Sequence, residues 1–458
     1  MLKNFIDEET LLQLASLSTE PGIAAINEIL EKGRRLEGLT AQEAALLLQV
    51  QDVDALKDIF NTASAIKKSI YGDRLVFFAP LYLSSYCVND CSYCGFHASN
   101  KAPRKKLTMD EIREQTARLI EMGHKRLLLE FGEDPNQNDI DYICDAIKAI
   151  YSVKRADGEI RRVNVNIAAT SVEDYRRLKE RGIGTYQLFQ ETYHRKTYER
   201  LHKGPKGDFD RQLFAMDRAF EAGLDDVGIG VLFGLYDYRF ELLALITHAD
   251  YLQNKYGVGP HTISVPRFRP AANVEMSALS PLSDEEFLKL IAILRIAIPY
   301  TGIIITTRES AEIREKAFNI GVTQTSAASC TSPGGFGKKN GEETEQFELS
   351  DKRSLDEIAI SVMKQGFTPS FCTACYRKSR TGEAFMEIAR PGDIHRFCRP
   401  NGILTLMEYV EDHASKEGVR LGLETIKKDL EDIDSALLRK KTMDRLERIR
   451  NGERDIYF

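Results

Sequence analysis

Apolar residues recur at helical spacing through the first seventy positions, as in Leu11, Leu12, Leu14 and Ala15 and again in Ala24, Ala25, Ile29 and Leu30. Steps of three and four put an apolar stripe on one helix face, so residues 1–73 are predicted to form an N-terminal helical extension. From Arg74 the texture changes to short β-rich runs alternating with amphipathic stretches, the pattern of βαβ units around a parallel sheet. The predicted strands are Leu75–Leu83, Arg126–Glu130, Val163–Ile167, Thr185–Gln190, Val227–Leu232, Thr262–Val265, Gly302–Thr306 and Val322–Ser326. Between them, Thr108 with Glu111 and Ser283 with Glu286 have the S/T-x-x-E form that satisfies orphan amides at a helix start. A helix near Ser354–Lys364 completes the eighth unit. Residues 74–366 are therefore expected to be an α/β fold, a TIM-type (β/α)8 barrel.

Residues 367–458 read as a third, mostly helical segment, with charged amphipathic helices at Val419–Leu430 and Leu437–Ile449. The Gly-, Lys- and Glu-rich run Pro333–Glu343 is expected to be a mobile, exposed loop.

Composition adds limits. The 458 residues are 43% hydrophobic and 29% charged with a net charge of −6, an ordinary globular balance that gives nucleic acid no basic surface. No run of 18 apolar residues marks a membrane span, and acidic residues occupy the start of the chain where a signal peptide needs an apolar region. A cytoplasmic protein without a membrane partner is expected. Of eight cysteines, six fall in two tight clusters whose spacings suit metal ligands better than disulfides.

Cys87, Cys91 and Cys94 form C-x3-C-x2-C directly after the first predicted strand, at the end of the barrel where catalytic residues gather. Thiolates hold iron–sulfur clusters, and a cubane bound by only three leaves one iron open to a small-molecule chelator. Gly95 allows close backbone approach, and Phe96 offers a flat face on which a base can stack. Zinc would want a fourth protein ligand, and His97 lies too near along the chain to supply it comfortably. Cys372, Cys375 and Cys398 form a second set, C-x2-C-x22-C. Spacing leaves two readings for it: another cubane with an open iron, or a structural zinc site completed by His395. Cys144 and Cys330 have no neighbours in sequence and read as buried thiols.

The first triplet, with an aromatic two residues after its last cysteine, resembles the radical S-adenosylmethionine (SAM) superfamily, in which the open iron is chelated by SAM and the SAM is cleaved reductively to a 5′-deoxyadenosyl radical. The likeness extends through Asn164–Thr170, Phe189–His194, Gly228–Leu235, Gly259–Arg267 and the tail cysteines. Over about residues 70–410 the chain resembles the superfamily's tyrosine lyases that mature FeFe-hydrogenase.

That resemblance implies cleavage of L-tyrosine to p-cresol and dehydroglycine, then formation of CO and cyanide at an auxiliary cluster for assembly of the hydrogenase H-cluster. The implied cofactors are SAM and two 4Fe–4S clusters, the auxiliary one with a labile fifth iron. L-Cysteine and iron, an electron donor such as ferredoxin or flavodoxin, and other hydrogenase maturation proteins are the implied partners. Phe131-Gly132-Glu133 looks like the superfamily's Gly-Gly-Glu segment for the methionine amino group of SAM, with Phe131 departing from the pattern. Glu133 could equally be a carboxylate at a helix N-terminus. Glu191 is a candidate for the ribose hydroxyls, and Gly228 and Gly230 for close approach of the adenine, although glycines in a strand also relieve packing. Arg308 is the candidate clamp for the tyrosine carboxylate, unless it pairs with Glu309 or Glu312, and Ser326 could add a hydrogen bond. By analogy His261 would bind the labile iron, with His248 as the alternative. The related thiamine-pathway tyrosine lyase lacks the matching histidine and the tail cysteines. Two reaction sites in one chain would need an internal tunnel between them. Two other readings remain: a lyase that stops at dehydroglycine (2-iminoacetate) for thiamine thiazole synthesis with a structural tail cluster, and a non-catalytic zinc-binding scaffold.

Overall fold

The computed structural model describes residues 4–156, 158–337 and 344–458. Eight parallel strands close a barrel: β1 (Arg74–Ser84), β2 (Arg126–Phe131), β3 (Arg162–Asn166), β4 (Tyr186–Gln187), β5 (Val227–Gly230), β6 (Thr262–Ser264), β7 (Gly302–Ile305) and β8 (Gln324–Ser326). Closure comes where β8 pairs with β1, in the register Val76 with Gln324 through Phe78 with Ser326. A ninth strand, β9 (Thr368–Ser370), which the sequence pattern did not reveal, pairs with Arg74–Val76 at the start of β1. It carries the chain from the barrel into the tail.

Side chains alternate across each strand. On β1, Leu75, Phe77, Ala79, Leu81 and Leu83 enter the core shared with the surrounding helices. Val76 instead faces a cavity at the lower, N-terminal end of the barrel, and Phe78, Pro80 and Tyr82 face a cavity at the upper, C-terminal end. On β2, Leu127 and Leu129 face the helices, Arg126 faces down, and Leu128 and Glu130 face up. Both faces of these strands are covered, which is why they read as nearly continuous apolar runs.

The anticipated capping boxes at Thr108/Glu111 and Ser283/Glu286 are formed, as are two more at Thr40/Glu43 and Ser354/Glu357. The N-terminal helices Glu8–Ala15, Ile23–Arg34, Ala41–Leu48 and Val53–Tyr71 pack on barrel helices, Val53–Tyr71 against Asp284–Ala297. Tyr71, at the end of the last, reaches the wall of the lower cavity. In the tail, helices Lys416–Glu431 and Ala436–Arg450 contain the two predicted segments.

Two expectations need correction. In the run Thr185–Gln190 only Tyr186–Gln187 is regular strand, although the Leu188 and Gln190 amides go on donating to the Gly228 and Gly230 carbonyls of β5 and Glu191, with a left-handed φ of 68°, follows the run. The described flanks of the run expected to be exposed are packed: Thr331, Ser332 and Phe336 are buried, and the Gly95 amide donates to the Gln346 carbonyl at 3.0 Å. Residues 338–343 of that run lie outside the described residues. Among the described residues no helix is long and apolar enough to cross a membrane.

Candidate active site

The three cysteines of the first triplet line one upper cavity together with Phe96, Gly132, Glu133 and Glu191. Gly132 follows β2 so closely beneath the cysteine loop that a Cβ there would collide with the Tyr86 carbonyl and the Cys87 side chain. Glu133 is held from two sides, accepting from Arg211 Nη2 at 2.6 Å and from Asn89 Nδ2, within the cysteine loop, at 2.6 Å. Glu191 takes Lys206 Nζ at 2.7 Å, and burial of that pair is outweighed by the lysine charge, leaving the carboxyl below its usual range. The strained backbone of Glu191 is anchored by the next two residues, whose Thr192 hydroxyl and Tyr193 amide both donate to the buried Glu241. Phe96 is buried edge-on to Tyr82, with ring centroids 5.9 Å apart.

Gly95 also serves a second close approach. A Cβ on it would strike the Glu345 and Gln346 carbonyls, so its absence admits the segment that covers the site. Gly228 and Gly230 face inward, where a methyl would meet Thr262 and Gln187, or Phe189 and Ser264. They do not line either upper cavity.

A second upper cavity adjoins the first. Arg308, just past β7, lies over the Phe347 ring with its guanidinium carbon 3.3 Å from the centroid. Neither expected acid neutralises it: Glu309 pairs with Arg267 and Arg269, and Glu312 with Lys316. Among the described residues its guanidinium has no hydrogen-bonded or ion-paired partner, and burial depresses its pKa. Ser326, at the end of β8, accepts from the Thr307 amide at 3.1 Å and lines the same cavity.

At the lower end, Cys372, Cys375, Cys398 and His261 line a common cavity with Arg74, Arg126 and Tyr376. His261 Nδ1 stands 3.7 Å from Asp226 Oδ2, and burial lowers its pKa. Its alternative, His248, is elsewhere, bonded to Tyr193 Oη at 2.7 Å. His395, the fourth zinc ligand considered, faces the Gly392 carbonyl at 2.7 Å and does not line the cavity. His97 is likewise engaged, with Asp90 at 2.9 Å.

The donor sets suit clusters. All six cysteines are free thiols, and burial raises Cys91 well above the usual thiol range, Cys94 to about 11 and Cys375 to about 12. Such groups ionise only against strong local positive charge, which bound iron supplies. Amides already aim at sulfur: Phe96 N at Cys94 Sγ and Ala374 N at Cys372 Sγ, both at 3.4 Å. Among the described residues no three Cys, His, Asp or Glu side chains converge closely enough for a single ion. A tetrahedral zinc centre requires that convergence, whereas a cubane spreads its thiolates over separate corners.

The two ends come close to one another. The upper cavity reaches down to Phe78, Leu128 and Ser326, and the lower one up to Val76, Arg126 and Gln324, the preceding inward positions on the same strands. No lining residue is shared between these two cavities, and the expected tunnel would have to pass the side chains that lie between them.

Several site residues escaped the sequence reading. Glu130, Asn166, Lys206 and Arg211 join the upper site, and Arg126 and Tyr376 the lower. A carboxylate ending an apolar barrel strand was a usable signal for Glu130; Lys206, in an ordinary Gly-Pro-Lys-Gly loop, carried none.

Comparison with known proteins agrees with this layout. Residues 81–247 match the Radical SAM superfamily, and residues 264–368 match the Biotin and Thiamin Synthesis associated domain. A 2-iminoacetate synthase of Escherichia coli is 31% identical over 341 residues, 74% of this chain and 88% of that protein. The crystal structure of HydG, described as a maturase of the FeFe-hydrogenase, superposes with a TM-score of 0.96 at 53% identity, covering 99% of this chain and all of that one. HydG from Carboxydothermus hydrogenoformans superposes at 0.84 with 40% identity, over 96% and 97% of the two chains. With the barrel, both cysteine sets and almost every residue of the chain spanned at these identities, the protein belongs to the HydG family of radical SAM enzymes.

Proposed function

We infer that this enzyme cleaves L-tyrosine to p-cresol and dehydroglycine at the upper site and converts the dehydroglycine to CO and cyanide at the lower one, for assembly of the FeFe-hydrogenase H-cluster. The observation that carries the reading is the pair of three-cysteine sets at opposite ends of one barrel, the upper one beside a cavity holding an unneutralised arginine. The HydG structures match along the tail as well as the barrel, while the 2-iminoacetate synthase match spans 74% of the chain. This favours the two-site reading over a lyase that stops at dehydroglycine.

In this reading Cys87, Cys91 and Cys94 hold the SAM-binding cluster, and Phe96, Gly132, Glu133 and Glu191 hold SAM. When bound, cluster and SAM supply a 5′-deoxyadenosyl radical that removes a hydrogen atom from the tyrosine amine, after which the Cα–Cβ bond breaks. Arg308 grips the tyrosine carboxylate as a planar fork, assisted by Ser326. Phe347 and Leu349 close the cavity and exclude water. Residues 367–458 form the auxiliary-cluster domain on Cys372, Cys375 and Cys398, with His261 as the ligand of a labile fifth iron. Gly228 and Gly230 act through packing. Dehydroglycine crosses the single layer between the cavities by movement of Phe78 and Leu128. L-Cysteine and iron are taken up at the lower site, and a ferredoxin or flavodoxin supplies electrons.

The test is an anaerobic assay of reconstituted enzyme with SAM, dithionite and tyrosine, following p-cresol by chromatography and CO by the spectrum of deoxymyoglobin. Both products are expected. Cresol without CO would leave a thiamine-type lyase, and deoxyadenosine with neither product would reject tyrosine.

A further inference from the structure

Glu130 stands in the wall between the two upper cavities and lines both. It points inward from β2, in register with Tyr82 on β1 and Asn166 on β3. Asn166 Nδ2 donates to its two carboxyl oxygens at 3.2 and 3.0 Å. The other two acids of the upper site have cations, Glu133 with Arg211 and Glu191 with Lys206. Among the described residues no cation lies within ion-pair distance of Glu130.

A buried carboxyl with only a neutral amide partner is costly to ionise. Across the same cavity is a buried cation with no acid, Arg308. Among the described residues, one uncompensated group of each sign in a single cavity, whose wall also holds the apolar Phe78, Phe189, Leu232 and Phe347 and the paired Glu191 and Arg269, is the complement of an aromatic α-amino acid in its zwitterionic form. The carboxylate of such a ligand belongs on Arg308. Its ammonium then belongs on Glu130, on the side that opens toward the cysteine loop.

We propose that Glu130 binds the α-ammonium of the substrate and accepts a proton from it, so that the amine is neutral and aimed into the SAM cavity before chemistry begins. In that step one ammonium N–H bond breaks, its proton forms an O–H bond on a Glu130 oxygen, and the electron pair stays on nitrogen. No electron is transferred. The proposal rests on the tyrosine reading above.

The groups facing Glu130 set its proton affinity. Burial raises its pKa to about 8, opposed by Asn166, Arg308 and Lys206 and reinforced by Glu191, while Tyr82 faces it from β1 as a neutral phenol. The empty site is therefore protonated at pH 7. Binding zwitterionic tyrosine as an ammonium–carboxylate pair, in equilibrium with the transferred form, displaces that proton to solvent.

The test uses SAM-loaded holoenzyme, anaerobic and without reductant, with tyrosine titrated calorimetrically in buffers of different ionisation enthalpy. Wild type should release close to one proton per tyrosine at pH 7 and progressively less above pH 8. E130Q should release none and bind tyrosine about 10- to 100-fold more weakly, the cost of one charge-assisted hydrogen bond. It should bind 3-(4-hydroxyphenyl)propanoate, which lacks the amine, as well as wild type does. Tyrosine binding by wild type without proton release, or unchanged tyrosine affinity in E130Q, overturns the role of Glu130 alone. Failure of wild type to bind tyrosine overturns the substrate reading with it. The wild-type proton count needs no variant, so it decides the matter even if E130Q folds poorly.

Discussion

Replacing Arg308 by methionine removes a charge while keeping most of the side-chain volume, and its effects on binding and on folding should diverge. A guanidinium holding a carboxylate bidentately contributes two charge-assisted hydrogen bonds, together worth about 2–4 kcal/mol. Tyrosine affinity should fall roughly 30- to 900-fold at 1.36 kcal/mol per decade. Folding has no such loss to suffer, because the arginine has no acid partner among the described residues and its burial is unfavourable to the charge. Against the relieved desolvation stands the stacking on Phe347, about 0.5–2 kcal/mol, so net stability should change by no more than about 1 kcal/mol. Calorimetric titration of tyrosine into SAM-loaded enzyme gives the first quantity, and denaturant midpoints the second. A stability loss of about 3 kcal/mol, of the size seen when a buried ion pair is broken, together with unchanged tyrosine affinity, would show that Arg308 braces the fold.

Three further outcomes are expected. Cys91→Ser should abolish deoxyadenosine formation, whereas Cys375→Ser should leave cresol formation intact and remove CO, each variant dropping iron from about eight or nine atoms per chain by roughly one cubane; loss of cresol in the tail variant would contradict separate sites. Gly132→Ala forces a methyl into the Tyr86 carbonyl, so the cysteine loop should shift and the visible absorption of the upper cluster should fall while far-ultraviolet circular dichroism is retained. Burial raises the Glu241 carboxyl to about 8, so between about pH 4.5 and 8 the native state holds a proton that the unfolded chain has lost, and stability declines as pH rises through that window. Glu241→Gln should flatten the decline by up to one proton, about 1.4 kcal/mol per pH unit; an unchanged slope between pH 5 and 8 would mean that Glu241 does not carry it.

What the sequence disclosed and what it hid follow from how each feature is encoded. The barrel was legible because seven of its eight strands carry apolar residues toward the helices, as Leu75, Phe77 and Ala79 do on β1, while β8 (Gln324–Ser326) begins just after the buried Val322, and that periodicity is local. β9 was invisible: Thr368-Pro-Ser370 has no apolar alternation, and it forms because Thr368 and its neighbours find the free lower part of β1. The cysteine triplets were legible as spacings, since a cluster's ligands must come from short segments. The decision between Arg308 as substrate clamp and as partner of Glu309 could not be made from adjacency. It depends on Arg267 and Arg269, some forty positions earlier, reaching Glu309 first.

That last dependence shows how the site is built. Acids and bases that could quench one another are assigned long-range partners, Glu133 to Arg211, Glu191 to Lys206 and Glu309 to Arg267 and Arg269. What this pairing leaves over in the upper cavity, among the described residues, is one cation and one carboxyl, on β-barrel loops and strands that a closed sheet holds apart. Burying both without partners lowers the stability of the empty enzyme, a cost that the proposed zwitterionic substrate would offset on entering the cavity. The same logic separates the two ends of the barrel: the inward positions Phe78, Leu128 and Ile304 form an apolar layer between the polar linings above and below it. A single layer suffices because adjacent inward positions on a strand are only two residues apart, which places cavities with separate linings within one side chain of each other.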